Sequence, residues 1–206
     1  MSTCSFRKTS HLQATAESNK TQLILDGALV QFNQYGFRKT SLEDIARAVG
    51  ISRTSLYSYF SNKDAIFRAV AQEVHERALA EAQRVLNGDG SIAERVEAAL
   101  LARHAPFHAM QATSQHGTEL HDEYSKLCGD IVVNSQTRFE ALLVGAIKRA
   151  ARAGTIDVKR AGATSAEVAS ALNLAAAGQK RGAEDPAEFT RRIKRLVLMA
   201  FAGIST

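Results

Sequence analysis

Apolar side chains recur along this chain at the spacing of helices. Ile24, Ala28 and Phe32 repeat every four residues, with Leu25 and Leu29 beside them, and the pattern halts at Gly36. Glycine readily takes the left-handed turn that closes a helix, so a first helix is predicted over about 18–35. Thr40 with Glu43 reads as a capping box ahead of Leu42, Ile45, Ala46 and Val49, which predicts a short second helix over about 41–48, ending before Gly50. Ser52 then caps a third short helix, ending near Tyr59, that turns Leu56 and Phe60 inward and leaves Arg53, Thr54, Ser55 and Ser58 outside.

Ser61 and Asn62 offer caps for a long fourth helix through Ile66, Val70, Val74 and Ala78, broken by Asn87-Gly88-Asp89-Gly90. Ser91 with Glu94 opens a helix through Ile92, Val96 and Leu100 to about His104, which Pro106 ends or kinks before a short helix to about Met110. Glu119 to Ala153 reads as helical with a break near Gly129. Thr164 with Glu167, and Asp185-Pro186, launch two terminal helices over about 165–181 and 186–203. Residues 1–17 are polar without helical period and are expected to form a disordered basic arm.

Composition agrees with an all-α class: two prolines and thirteen glycines interrupt a 206-residue chain rich in strong helix formers. The net charge of +5 is uneven, +4 in residues 1–63 and +1 in the rest, so the affinity for an anionic partner belongs to the N-terminal quarter. Cys4 and Cys128 form no C-x-x-C pair, so no disulfide framework, structural zinc or other cofactor is expected. No apolar run reaches the roughly 18 residues of a membrane span, and a cytoplasmic location without membrane attachment is expected.

Two short helices joined by a tight glycine turn and preceded by a supporting helix follow the helix-turn-helix plan, in which the outer face of the second reads base edges in the major groove. Arg53, Thr54 and Ser55 are short or hydrogen-bonding enough for that task. Lys63 opens the fourth helix, where its charge and the unpaired N–H groups of the terminus could meet one phosphate, and Thr40 and Ser41 do likewise at the second. Ser52 and Ser58, with Arg38 and Lys39 in the preceding turn, complete a candidate phosphate-contacting set.

The carriers of a family resemblance are Ile24, Ala28, Phe32, Gly36-Phe37, Thr40-Ser41-Leu42, Ile45-Ala46, Ala48-Val49-Gly50-Ile51-Ser52, Leu56-Tyr57, Tyr59-Phe60 and Asn62-Lys63-Asp64. Through them, residues 21–67 resemble the DNA-binding region of the TetR family of transcriptional regulators. The resemblance implies that Arg53, Thr54 and Ser55 reach bases while Tyr57, Tyr59 and Lys63 fasten phosphates. It also implies a module over 18–63 joined by a long helix to a ligand-sensing and dimerisation domain over 64–206. Thr54 departs from the pattern, since the family usually has glycine there.

The expected partners are double-stranded operator DNA, a second copy of the chain and an unidentified small-molecule effector. Ala169, Leu172, Ala176, Leu196, Met199 and Ala200 form charge-poor faces suited to a four-helix dimer interface. Phe107, Met110, Tyr124, Leu127 and Phe139, with Asn134 and Arg138 as polar anchors, are the candidate lining of an effector pocket. Two other readings stay open: a dimeric helical interaction protein that ignores DNA, and a metal-dependent enzyme using His104 and His108. The second lacks any recognised catalytic motif, so no enzymatic activity is expected.

Overall fold

The computed structural model describes the backbone of residues 5–113, 115–183 and 185–205, with side chains over the same ranges apart from 5–16 and 107–113. The described elements are helical: α1 Ser5–Tyr35, α2 Leu42–Ala48, α3 Arg53–Tyr57, α4 Lys63–Leu86, α5 Ile92–Thr113, α6 Gly117–Leu127, α7 Gly129–Arg152, α8 Ser165–Gly178 and α9 Pro186–Ala202, with a 3-10 turn at Val158–Ala161. Among the described residues strand pairing is limited to an isolated bridge between Ile156 and Ser205.

Local chemistry explains the ends. Side-chain oxygens of Ser52, Asn62, Ser91, Thr164 and Asp185 accept from backbone N–H groups of the first turns they precede. Two expectations shift. The cap of α2 is Ser41 paired with Asp44, not Thr40 with Glu43, because Thr40 is turned inward and bonds the carbonyl of Gly36. Helix α1 begins at Ser5 rather than near 18, where no glycine or proline stands in the way. The proline expected to end or kink α5 lies inside it, and the helix runs on to Thr113.

The chain divides into two compact units, Met1–Gln72 with Ser114–Cys128, and Glu73–Thr113 with Gly129–Thr206. This division falls within α4, and α6 belongs to the first unit. In that unit Ile24, Ala28, Phe32, Ile45, Ala46, Leu56 and Ile66 are at most 2% exposed. The rings of Phe32, Phe37 and Phe67 stack mutually at centroid distances of 4.9 to 5.7 Å, geometry that favours edge-to-face attraction. A Cβ on Gly27 of α1 would lie 2.2 Å from the Val49 side chain, so the absence of one lets the end of α2 seat on α1. Helix α6 is held by Glu119, whose carboxylate accepts the Arg38 backbone N–H at 2.7 Å, and by the Leu127 carbonyl, which accepts from the Arg68 guanidinium.

The second unit buries Leu86, Val96, Leu100, Phe139, Leu143, Ile147, Phe189, Ile193 and Val197. Among these apolar groups sit His75 and Arg103, joined at 3.2 Å, and His104 and Asn173, joined at 3.1 Å. Burial, followed by the charge of Arg103, holds His75 down at about 4, and burial with Lys180 and Arg103 holds His104 at about 3.

Two outcomes are expected. Gly27→Ala should lower the unfolding free energy by about 1–3 kcal/mol, the usual cost of overfilling a packed contact, as read from the urea midpoint; an unchanged midpoint would show that Val49 yields freely. The histidines bind a proton more weakly folded than unfolded, so acidification favours unfolding. Stability should fall as pH drops from about 6.5 towards 4, by up to about 1.4 kcal/mol per pH unit for each histidine. His104→Asn should flatten that dependence in urea titrations at stepped pH.

Candidate nucleic-acid interface

Helix α3 presents two unlike faces. Leu56 is fully buried, while Arg53, Thr54, Tyr57 and Ser58 are exposed. The Ser52 hydroxyl caps the helix by accepting the Ser55 N–H at 3.1 Å, and Ser58 returns its hydroxyl to the Ser55 carbonyl at 2.7 Å. Arg53 lies over Tyr57, its guanidinium 5.6 Å from the ring centroid and donating to the phenol oxygen at 3.2 Å. An arginine stacked on an aromatic ring loses fewer rotamers when it later bonds a base.

Arg38, Lys39 and Ser41 stand exposed in the turn between α1 and α2. Lys39 borders an open groove of about 370 Å³ with Gln31, Tyr35, Asp44 and Arg47. The Ser41 hydroxyl and N–H both reach the Asp44 carboxylate, at 2.6 and 3.0 Å, and that pairing lowers the Asp44 pKa. Arg38 also faces Glu123 of α6 at 3.5 Å, with most of its side chain open to solvent.

Other expected contacts fall elsewhere. Thr40 is 2% exposed, and its hydroxyl is given to the Gly36 carbonyl at 2.7 Å, so it supports the turn instead of facing a phosphate. Lys63 is half-buried. Its ammonium donates to the carbonyls of Phe37, Arg38 and Thr40 at 2.7, 3.3 and 2.9 Å and lies 4.4 Å from the Phe37 ring centroid. Three bonds occupy the three protons of an ammonium, so Lys63 fastens the turn that carries Arg38 and Lys39. Ser55 and Tyr59 are half-buried, and Lys20, which the periodicity did not single out, lies 5.8 Å from the Tyr59 ring centroid.

The residues expected to line an effector pocket fall in both units. Phe139 is fully buried in the second unit. Tyr124 and Leu127 lie on α6 in the first unit, Asn134 is exposed, and exposed Arg138 pairs with Glu76. The side chains of Phe107, Met110 and His108 fall outside the described residues. His75, Arg103 and Asn173 are buried polar residues in the second unit, and no local pattern announces their burial.

The expected pairing face is also redistributed: Ala169, Leu172 and Ala176 are at most 3% exposed in the unit's own core. Leu196 and Ala200 line an open groove of about 390 Å³ with Val168, Ala171, Ala175 and the edge of Leu172. Leu174 and Met199, on the same two helices, are 61% and 72% exposed.

Residues 24–70 match the profile described as "Bacterial regulatory proteins, tetR family". Over 67 residues the chain is 42% identical to the HTH-type transcriptional regulator RutR of Escherichia coli K12, a match covering 32% of each protein, so only about a third of that relative's length is spanned. In fold it is similar to a transcriptional regulator from Cytophaga hutchinsonii, with a TM-score of 0.72 at 20% identity over 91% of this chain and 99% of that one. It is also similar to SmeT, the repressor of the Stenotrophomonas maltophilia multidrug efflux pump SmeDEF, with a TM-score of 0.66 at 20% identity over 90% of each chain. Residues 24–70 are therefore similar to the DNA-binding region of the tetR family of bacterial regulatory proteins, and the helices of the chain have the fold of these solved regulators.

Proposed function

We propose that this chain is a transcriptional repressor, cytoplasmic and without enzymatic activity, that binds an inverted-repeat operator in double-stranded DNA as a homodimer and is released by a small-molecule effector. The observation that carries the reading is the two-faced α3: Leu56 is fully buried while Arg53, Thr54, Tyr57 and Ser58 stay open to solvent. In this reading Arg53, Thr54 and Ser55 approach base edges. Arg38, Lys39, Ser41, Ser52, Tyr57, Ser58 and Tyr59 lie towards the backbone, and Lys63 acts one step back, holding the turn.

The partly apolar groove between α8 and α9, flanked by exposed Leu174 and Met199, suits a second copy of the chain. A two-fold pair supplies the second recognition helix that a single five-residue α3 lacks. That the structural neighbour SmeT is known in a complex with triclosan supports a small-molecule effector for this chain. Helix α4 contributes residues to both units and is the route by which such a molecule would act on α3. Effector and operator then weaken each other's binding by the same factor.

Titrating labelled duplexes at several salt concentrations tests the reading. Arg53→Ala should cost about 1–3 kcal/mol on preferred sequences and relax the preference, whereas Lys39→Ala should weaken all duplexes alike and lower the salt slope by about one. Equal losses on every sequence for Arg53→Ala would remove base reading, and no duplex affinity at low salt would remove the function.

A further inference from the structure

The turn that offers Arg38 and Lys39 to solvent is overlaid by acid. Helix α6 belongs to the first unit together with α1 and α2, and its Glu119 and Glu123 stand four residues apart, on one face. Leu120, 5% exposed, anchors the same helix. Glu119 accepts the Arg38 backbone N–H at 2.7 Å. Glu123 reaches the Arg38 guanidinium at 3.5 Å, with 12% of its own side chain exposed against 72% for Arg38. Gly36 lets the helix come this close: a Cβ there would lie 2.8 Å from a Glu119 carboxylate oxygen and 3.1 Å from the His116 ring.

A surface built only to hold a polyanion has no use for these carboxylates. The shape of the turn does not depend on Glu123, because Lys63 gathers three of its carbonyls and Ser41 closes its far end as the cap of α2. What Glu123 changes is the charge that Arg38 presents. A phosphate bonded to the outer side of the guanidinium stands within a Debye length of that carboxylate, on the order of 8–10 Å, and the two like charges repel. Nor can Arg38 swing away freely, since a mostly buried carboxylate left without its cation is poorly solvated.

We infer that Glu123 is an internal competitor with DNA phosphate for Arg38, through which α6 holds one backbone contact of the first unit in check and lowers affinity for every duplex alike. The inference rests on reading the first unit as the DNA-binding half, and it names the residue that sets the strength of one phosphate contact. Base preference belongs to α3 and is left unchanged.

The test is duplex binding by four forms of the full chain: native, Glu123→Gln, Arg38→Ala and the double variant. Each is titrated with labelled duplexes of unrelated sequence at stepped salt, and thermal unfolding checks that each is folded. Glutamine keeps the size of the side chain and removes its charge. Glu123→Gln should tighten binding to all sequences by up to about fivefold and steepen the salt slope by up to about 0.9. In the Arg38→Ala background the same substitution should change neither. Asp122→Asn, which takes an equal charge from an exposed position of α6, should give a smaller gain. The competitor is overturned if Glu123→Gln leaves affinity unchanged, or if it weakens binding, the mark of a residue that positions Arg38 for the phosphate. It is equally overturned if the gain survives in the Arg38→Ala background or if Asp122→Asn matches it. These outcomes leave the DNA reading standing, whereas a native chain that binds no duplex at low salt removes that reading and the competitor with it.

Discussion

The direction in which α3 presents Arg53 and Thr54 depends on how completely Leu56 is buried on its opposite side. A five-residue helix has too few internal hydrogen bonds to stand alone, so its orientation is set by what its inner face packs against. Ile45 and Ala46 of α2 are buried in the same core, and the intervening turn is closed by the Ile51 N–H on the Ala46 carbonyl at 3.0 Å. Gly50 makes that closure possible at φ +70°, a backbone angle that costs other residues dearly. Upstream, Gly27 lets Val49 seat on α1. A displacement of an ångström in this small assembly would shift every polar group on the outer face together.

Around this assembly, cations do two kinds of work. Lys63 is spent inward, gathering three carbonyls of the turn after α1, while Arg38 and Lys39 on that same turn remain open to an anionic partner. Helix α6 takes part through acidic groups: Glu119 accepts the Arg38 backbone N–H and Glu123 faces its guanidinium. In the second unit the balance is reversed, with Arg103 buried beside neutral histidines. Charge placement, more than net charge, distinguishes the outer surface of the first unit from the interior of the second.

Features governed by near neighbours were legible in the sequence. The caps of α3, α5, α8 and α9 each depend on a side chain and an N–H three residues on, and the pattern names each; at α4 it offers Ser61 and Asn62, and Asn62 is the one that accepts. At α2 two overlapping pairs, Thr40 with Glu43 and Ser41 with Asp44, satisfy the same rule, and the burial of Thr40 decides between them. Distant contacts were not legible. Nothing near Glu119 announces a bond to a backbone group 81 residues earlier. Nothing near Lys63 tells whether it meets a phosphate or the carbonyls of Phe37 and Thr40. Helix α8 is apolar on most sides, so its period could not show that Ala169, Leu172 and Ala176 face the unit's own core while Leu174 faces out.

In the proposed function, the outer face of α3 reads base edges, twice in each assembly. Selection from a random double-stranded oligonucleotide pool at moderate salt tests it most directly. The expected product is an inverted repeat whose half-sites are centred about 10 base pairs apart or a multiple of that, carried by major-groove positions. Enrichment of a single unrepeated site, or of no sequence at all, would contradict it.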